Sequence, residues 1–385
     1  LSYYKIGYNV SRALTGFFYK VTVGYQDEAA LSRIPKRDVV VYLMNHRSNA
    51  DYVLVTVVLA RVVSISYAVG EWARTWPLEY IFKSFGSYFI RRRFREPLYH
   101  TVLERFIHLI TKNGVTQGIF PEGGLTRDGA LRPPKIGLLD YIVRTTTDPD
   151  FDGDVWLVPV GINYDRVFED RSLTKELIVG GARPSRLGQF LGVLSFIGAN
   201  LGRLLTGQLK RYGRAAVNFG TPLSVRSWLI TQPSGVLDLP KADRLPYVQR
   251  LAQAAMDRVG AVIPVTPVPL GALALVSFHA SVIAHDALLE RLDYLRDQLT
   301  ELSAKIVRSE LTADEVWDRA WRTFRMRRWL LRDGPNYVVL PEARPLLEYY
   351  ANSIRHLMSN ADGPAPLTPA HGPDLSLPRL GPQAH

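Results

Sequence analysis

The sequence predicts an α/β fold, a mixed and mostly parallel sheet flanked by helices, with a mainly helical C-terminal region. Three observations predict it. From Asp38 onward, short apolar runs alternate with segments of helical pattern, as in a parallel sheet with crossover helices. The chain has 385 residues, 47% of them hydrophobic, enough for a sizeable core. Beyond Pro269 the alternation gives way to helical patterning.

Taken in order, residues 1–37 are expected to be an N-terminal helical segment. Its aromatic and basic residues (Tyr3, Tyr4, Lys5, Tyr8, Arg12, Phe17, Phe18, Tyr19 and Lys20) suit a membrane interface and equally a helix packed on the protein body. Residues 38–270 follow as the main α/β unit. Strands are expected at 39–44, 64–69, 87–91, 115–120, 155–162 and 215–219, and helices at 52–62, 72–84, 97–112 and 245–262. Proline at the first turn supports the 97–112 helix. Residues 187–205 form a glycine-punctuated amphipathic segment. Residues 271–360 are the helical C-terminal region, with a short strand near 336–340. Within it, Arg319, Arg322, Arg325, Arg327, Arg328 and Arg332 interleave with Trp317, Trp321 and Trp329. That pattern fits a contact with anionic lipid or carrier phosphates, and somewhat better a solvated helix face. Residues 361–385 hold six prolines without periodicity and read as a disordered tail.

The formal net charge of +11 favours anionic partners: anionic lipid, phosphorylated substrates or nucleic acid. The absence of cysteine excludes disulfides, thiolate metal sites and a cysteine nucleophile. The eight histidines include no His-x3-His or His-Glu-x2-His spacing, which disfavours a metal hydrolase. No signal peptide is recognisable, and no stretch of about 20 residues is cleanly apolar. The sequence begins at Leu1 rather than Met, so a preceding piece is expected.

Four blocks carry the chemistry. In Asn45-His46-Arg47-Ser48-Asn49-Ala50-Asp51, between two apolar runs, His46 and Asp51 stand five residues apart. On one straight helix they would point about 140° apart. They meet if His46 lies in the turn and Asp51 in the first helical turn. A carboxylate then fixes the imidazole tautomer and strengthens it as a base. A helix capped by Asn45 or Ser48, with an ordinary loop histidine, is the plainer alternative. The second block, Gly86 to Arg93, places Arg91 and Arg92 at a strand end, where guanidinium suits phosphate. The third, Gly118 to Gly129, ends a strand in Pro121-Glu122. Gly123 and Gly124 follow, freeing the backbone to approach a ligand, and then Arg127 and Lys135 at a reach that suits phosphate. The fourth, Val158 to Asp165, means little by itself.

In this order the blocks resemble the glycerolipid acyltransferases. They look closest to the bacterial glycerol-3-phosphate and dihydroxyacetone-phosphate acyltransferase branch. The resemblance rests on His46-Arg47-Ser48 with Asp51-Tyr52, on Phe89-Ile90-Arg91-Arg92, and on Glu122-Gly123-Gly124 with Arg127, Gly129, Pro134-Lys135 and Gly137. Downstream it continues through Tyr212-Gly213-Arg214, Val217 to Gly220, Val265-Thr266-Pro267, and Tyr349-Tyr350 with Asn352 and His356. It spans roughly residues 38–358. One departure stands out: where the branch usually has arginine after the glycines, this chain has Leu125.

The resemblance implies a glycerol-3-phosphate acyltransferase-like fold. It also implies an O-acyltransferase of phospholipid biosynthesis, moving a fatty acyl group from acyl-CoA or acyl-carrier protein to the sn-1 hydroxyl of glycerol 3-phosphate. His46 is then the general base and Asp51 its partner, both catalytic. Arg91, Arg92, Glu122, Gly123, Gly124, Arg127 and Lys135 are the substrate-binding candidates. No cofactor or metal is expected, the thioester being a co-substrate. The expected setting is the cytoplasmic face of a bacterial membrane, peripherally attached. Two alternatives stay open. One is a lysophosphatidic acid or other lysophospholipid acyltransferase. The other is a non-catalytic basic membrane- or nucleic-acid-binding protein, which leaves the ordered blocks without a purpose.

Overall fold

The computed structural model describes residues 2–59, 65–70, 83, 87–91, 96–179 and 212–358. Expectations for the 72–84 helix, the 187–205 segment and the C-terminal tail fall outside the described residues, as does Arg92.

Eight strands form the main sheet: β1 (Lys20–Gln26), β2 (Val39–Met44), β3 (Ser66–Gly70), β4 (Tyr88–Ile90), β5 (Gln117–Ile119), β6 (Val155–Tyr164), β7 (Arg214–Phe219) and β8 (Leu223–Ser224). Their order is β1-β7-β6-β2-β5-β3-β4, with β8 beside β6. The five strands β6, β2, β5, β3 and β4 run parallel, as do β1 and β7, and the β6–β7 and β6–β8 pairings are antiparallel. The mixed, mostly parallel sheet is the one expected. Strand boundaries move by one or two residues.

The 1–37 segment departs from its helical expectation. It is helical over α1 (Ser2–Phe18) and then supplies β1, with a short α2 (Glu28–Leu31) after it. The reason is local: Val21, Val23 and Tyr25 alternate with polar or small residues, a period of two. The aromatic end of α1 packs on the protein body, with Phe18 edge-on to Phe168 at 5.4 Å and to Tyr212 at 6.0 Å.

Both sheet faces are covered, as a parallel sheet requires. Along β2, Val39, Val41 and Leu43 enter one core, and Tyr42 and Met44 the other. The first core takes α4 (Pro97–Lys112), α5 (Gly137–Val143) and α8 (Lys241–Ala261), through residues such as Ile107, Ile142 and Leu251. A bidentate Arg244–Asp140 pair, 2.9 Å at each bond, ties α8 to α5. The second core takes α3 (Asp51–Leu59) and the C-terminal helices α9 (Pro267–Val276), α10 (His285–Glu301), α11 (Ala313–Met326) and α12 (Arg344–Arg355). A small antiparallel sheet, β9 (Val282–Ala284), β10 (Leu330–Asp333) and β11 (Asn336–Val339), sits among them.

The tryptophan–arginine run divides by side. Trp317 and Trp329 are buried in the second core, and Arg322, Arg325 and Arg328 are exposed. Arg327 points inward to Asp170 at the start of α6 (Asp170–Val179), and a short α7 (Val225–Ile230) precedes α8. None of those helices is long and apolar enough to cross a membrane.

Candidate active site at the ends of parallel strands

The first, third and fourth blocks meet where β2 and β5 end, beside β6, and the described part of the second, Ser87 to Arg91, ends on the same side of the sheet three strands from β2. β2 runs straight into Asn45 and His46. The Asn45 side chain continues the ladder: its Nδ2 donates to the Ile162 carbonyl (2.9 Å) and its Oδ1 accepts from the Ile162 N–H (2.7 Å). Asn45 therefore locks the turn to β6 rather than capping α3.

His46 and Asp51 meet as the spacing required, one in the turn and the other at the first residue of α3. The Nδ1–Oδ2 distance is 3.0 Å, and both side chains are buried. Asp51 Oδ2 also accepts from the backbone N–H groups of Arg47 (2.7 Å) and Ser48 (3.0 Å). Its Oδ1 accepts from the Tyr164 hydroxyl at 2.5 Å. Burial, reinforced by the Asp51 charge, raises the Tyr164 pKa well above the usual phenol value, so Tyr164 remains a donor. The other three partners of the carboxylate are donors, so the Nδ1–H tautomer of His46 completes the set and presents Nε2 as the acceptor. The ring is held flat against Phe120 (4.2 Å, 29°) and edge-on to Tyr52 (5.5 Å).

The third block grips His46 from below. Glu122 Oε1 accepts from the His46 N–H at 2.7 Å, and Oε2 from the Arg132 N–H at 3.1 Å. Thr126 donates its N–H to the His46 carbonyl at 3.2 Å. The loop is thus pinned at both ends to one residue. Gly123 makes the bend with φ +70°, and the Lys135 side chain lies so close that a Cβ there would meet its Cδ at 2.7 Å. Gly129 has φ +85° and faces the Tyr349 carbonyl, where a Cβ would sit 1.8 Å away. Burial pushes Glu122 up to about 7, against the lowering effect of its two backbone hydrogen bonds.

Among the other expected residues, Gly124 lies in the same loop, Arg127 is half-buried one residue past Thr126, and Lys135 is exposed. Leu125 is half-buried against the second core. Arg91 is half-buried at the end of β4, its N–H donating to the Tyr99 hydroxyl at 2.8 Å. Three strand steps separate β4 from β2, about 14 Å at the usual spacing. Among the described residues, no group of three or more His, Cys, Asp or Glu side chains could hold a metal ion.

Three contributors were not singled out in the sequence. Tyr164 lies in the fourth block, whose alternation announces a strand and nothing more. Arg47 is 2% exposed, donates to the Gly129 carbonyl and lies over the Tyr349 ring at 4.8 Å. Glu169 carried no signal at all. Its Oε2 accepts from the Ser48 hydroxyl (2.7 Å) and its Oε1 from the Asn49 N–H (3.1 Å). Burial raises it to about 7, with Asp51 adding to the rise.

Two family models match the chain. The family model described as Acyltransferase matches residues 29–163, and that described as Glycerol-3-phosphate acyltransferase C-terminal region matches residues 199–361. The chain is 30% identical over 332 residues to a glycerol-3-phosphate acyltransferase of Aeromonas hydrophila, covering 83% of this chain and 39% of that protein. It is 28% identical over 339 residues to one of Hamiltonella defensa, with the same coverage of 83% and 39%. It therefore spans about two fifths of the length of the curated relatives it matches. A solved structure, the 1-acyl-sn-glycerophosphate (LPA) acyltransferase from Thermotoga maritima, is 20% identical with a TM-score of 0.38, covering 67% of this chain and 80% of that one. That likeness is too low to rest anything on.

The raised Glu122 has a consequence for stability. Unfolding returns its pKa to about 4.5, so between pH 4.5 and 7 the folded state binds more protons than the unfolded one. Stability contributed by this group is present below that window and is lost as pH rises through it. Urea unfolding of the wild type and of Glu122→Gln at pH 5 and pH 8 should show the wild type losing roughly 2–3 kcal/mol relative to the variant. A difference between the two proteins that does not change with pH would contradict this.

Proposed function

The chain belongs to the glycerolipid acyltransferase superfamily, and from that premise we propose that it transfers a fatty acyl group from acyl-CoA or acyl-carrier protein to the sn-1 hydroxyl of glycerol 3-phosphate, giving lysophosphatidic acid. The observation that carries the proposal is the buried His46–Asp51 pair at the end of β2, with Nε2 left open. The acceptor hydroxyl gives its proton to Nε2 as its oxygen attacks the thioester carbonyl. The resulting imidazolium is stabilised by Asp51. The tetrahedral intermediate collapses, the carbon–sulfur bond breaks, and the thiolate takes the proton back from His46. No acyl-enzyme is required.

Arg91, Arg92, Arg127 and Lys135 are the cations for the acceptor phosphate. Glu122, with both oxygens on backbone amides, holds the Gly123-Gly124 loop against His46 rather than binding substrate. Removing the base should be severe. His46→Ala should lower the turnover number on the order of 100-fold or more, with little change in the Michaelis constants, and Asp51→Asn should follow it. The assay offers glycerol 3-phosphate and lysophosphatidic acid in parallel, with both thioester donors. Near-normal turnover by folded His46→Ala would sink the mechanism.

Leu125 favours a second reading. An apolar side chain on the wall of the loop suits the hydrocarbon of a lysophospholipid. Leu125→Arg separates the two acceptors. On the first reading it leaves the use of glycerol 3-phosphate unchanged or tightens it, by adding a cation beside the phosphate. If glycerol 3-phosphate stays unused and activity on lysophosphatidic acid is selectively destroyed, the acceptor is a lysophospholipid.

The proposal places the protein at the cytoplasmic face of a bacterial membrane, attached peripherally through its net positive charge. Anionic vesicles should retain it at low salt and release it as salt rises, since exposed charges are screened over about 10 Å at 0.1 M. Retention that ignores both high salt and alkaline carbonate would rule out purely peripheral attachment.

A further inference from the structure

Besides Asp51 and Glu122, the turn that carries His46 has a third carboxylate holding it, and the proposed reaction makes no use of that group. We propose that Glu169 is a positioning residue for the His46–Asp51 pair, acting through Ser48 and Asn49; the inference rests on the acyl-transfer reading above.

Four backbone N–H groups, those of residues 47 to 50, precede the helical ladder of α3. Asp51 takes those of Arg47 and Ser48. Glu169 takes that of Asn49 directly, and its other oxygen fixes the Ser48 hydroxyl, whose Oγ accepts the N–H of Ala50 at 3.1 Å. Glu169 thus completes the half of the turn that Asp51 cannot reach. Without it, the Asn49 amide loses its acceptor and the Ser48 hydroxyl that takes the Ala50 N–H is no longer fixed.

The mount is rigid, which separates a positioning group from a passing loop carboxylate. Glu169 stands in the short connection from β6 to α6, and nearly every residue around it is tied down. Asp165 accepts from the Arg214 N–H (2.9 Å), and the Arg166 carbonyl accepts from the Tyr19 hydroxyl (2.8 Å). The Val167 N–H donates to the Tyr350 hydroxyl (2.9 Å), and Phe168 packs among Phe18, Tyr19 and Tyr212. Asp170 accepts two bonds from Arg327 (2.8 and 2.9 Å) and one from the Tyr350 hydroxyl (2.6 Å). The Glu169 carbonyl accepts the Leu173 N–H and the Ser172 hydroxyl (2.8 Å), and the carboxylate takes its own backbone N–H besides serving α3. Asp51, Tyr19, Tyr164 and Tyr349 face it, and among the described residues no salt bridge ties its carboxylate to a cation.

The test is Glu169→Gln, an isostere that can accept from Ser48 or from Asn49 but presents an N–H donor to the other. Steady-state kinetics should show turnover down about 10-fold or more, with both Michaelis constants within about twofold. Hydrogen exchange should speed up in the peptide holding Ser48 to Asp51 and nowhere else. Ser48→Ala should give a smaller fall of the same kind. Combined with Glu169→Gln it should add little, because both act through one contact. A raised acceptor Michaelis constant with normal turnover would make Glu169 a substrate ligand and overturn the inference, as would unchanged turnover or fully additive effects. If the wild type transfers acyl groups to no acceptor, the functional reading fails, and exchange alone decides: faster exchange at the turn upholds the positioning role, and unchanged exchange overturns it. If Glu169→Gln does not fold, Ser48→Ala carries the same measurements and the same two outcomes.

Discussion

Everything at the strand ends depends on the Asp51 carboxylate accepting four bonds at once. A carboxylate with no exposed surface would be expensive if unpaired. Here two backbone amides, an imidazole and a phenol surround it, and hydrogen bonds to a charged group contribute about 1.5–3 kcal/mol each. The geometry is restrictive in a useful way. Asp51 can receive the amides of Arg47 and Ser48 only if the chain turns just before α3, and that same turn brings Nδ1 of His46 to 3.0 Å. The helix start and the base–carboxylate pair are one structural event.

That saturation also limits where a tetrahedral oxyanion could be held. The N–H groups of residues 46 to 50 are all engaged, by Glu122, Asp51, Glu169 and the Ser48 hydroxyl. The Gly123 N–H donates to the Phe120 carbonyl. Gly124 and Leu125 lie between two residues, Glu122 and Thr126, that are both bonded to the main chain of His46. Their amides have no acceptor among the described residues. On the proposed reaction these two amides are candidate backbone donors for the oxyanion.

Much of this was legible in the sequence, and what was missed has a physical reason. The strands were legible because β2 and β6 are apolar runs buried on both faces, and α4 because its proline marks its start. His46 and Asp51 were legible because five-residue spacing is informative only at a turn-to-helix junction. Glu122 and the glycines were legible as a strand end that must bend. Tyr164 and Glu169 were not, because they reach the site across more than 110 residues of chain, and nothing local distinguishes a tyrosine in a strand or a glutamate before a helix. The strand at 20–26 is hidden in the sequence because the aromatic and basic residues around it suit a helix. The alternation of Val21, Val23 and Tyr25 was the better guide.

The C-terminal helices make few direct contributions to the chemistry, yet the pair at the strand ends leans on them from two sides. On one side, Asn352 donates to the Asp128 carbonyl, and the Tyr349 carbonyl closes over Gly129. The Arg47 guanidinium is held between the Gly129 carbonyl and the Tyr349 ring. On the other, Tyr350 and Arg327 clamp Asp170, the immediate neighbour of the carboxylate that holds Ser48 and Asn49. The adjacent tyrosines of α12 therefore serve opposite flanks of the same turn. Breaking the buried Arg327–Asp170 pair from one side would leave an uncompensated charge, which costs about 3–5 kcal/mol, so that flank is stiff. The turn of seven residues is thus held on both flanks by a region far along the chain, and that is a physical reason for the helical region to accompany the sheet.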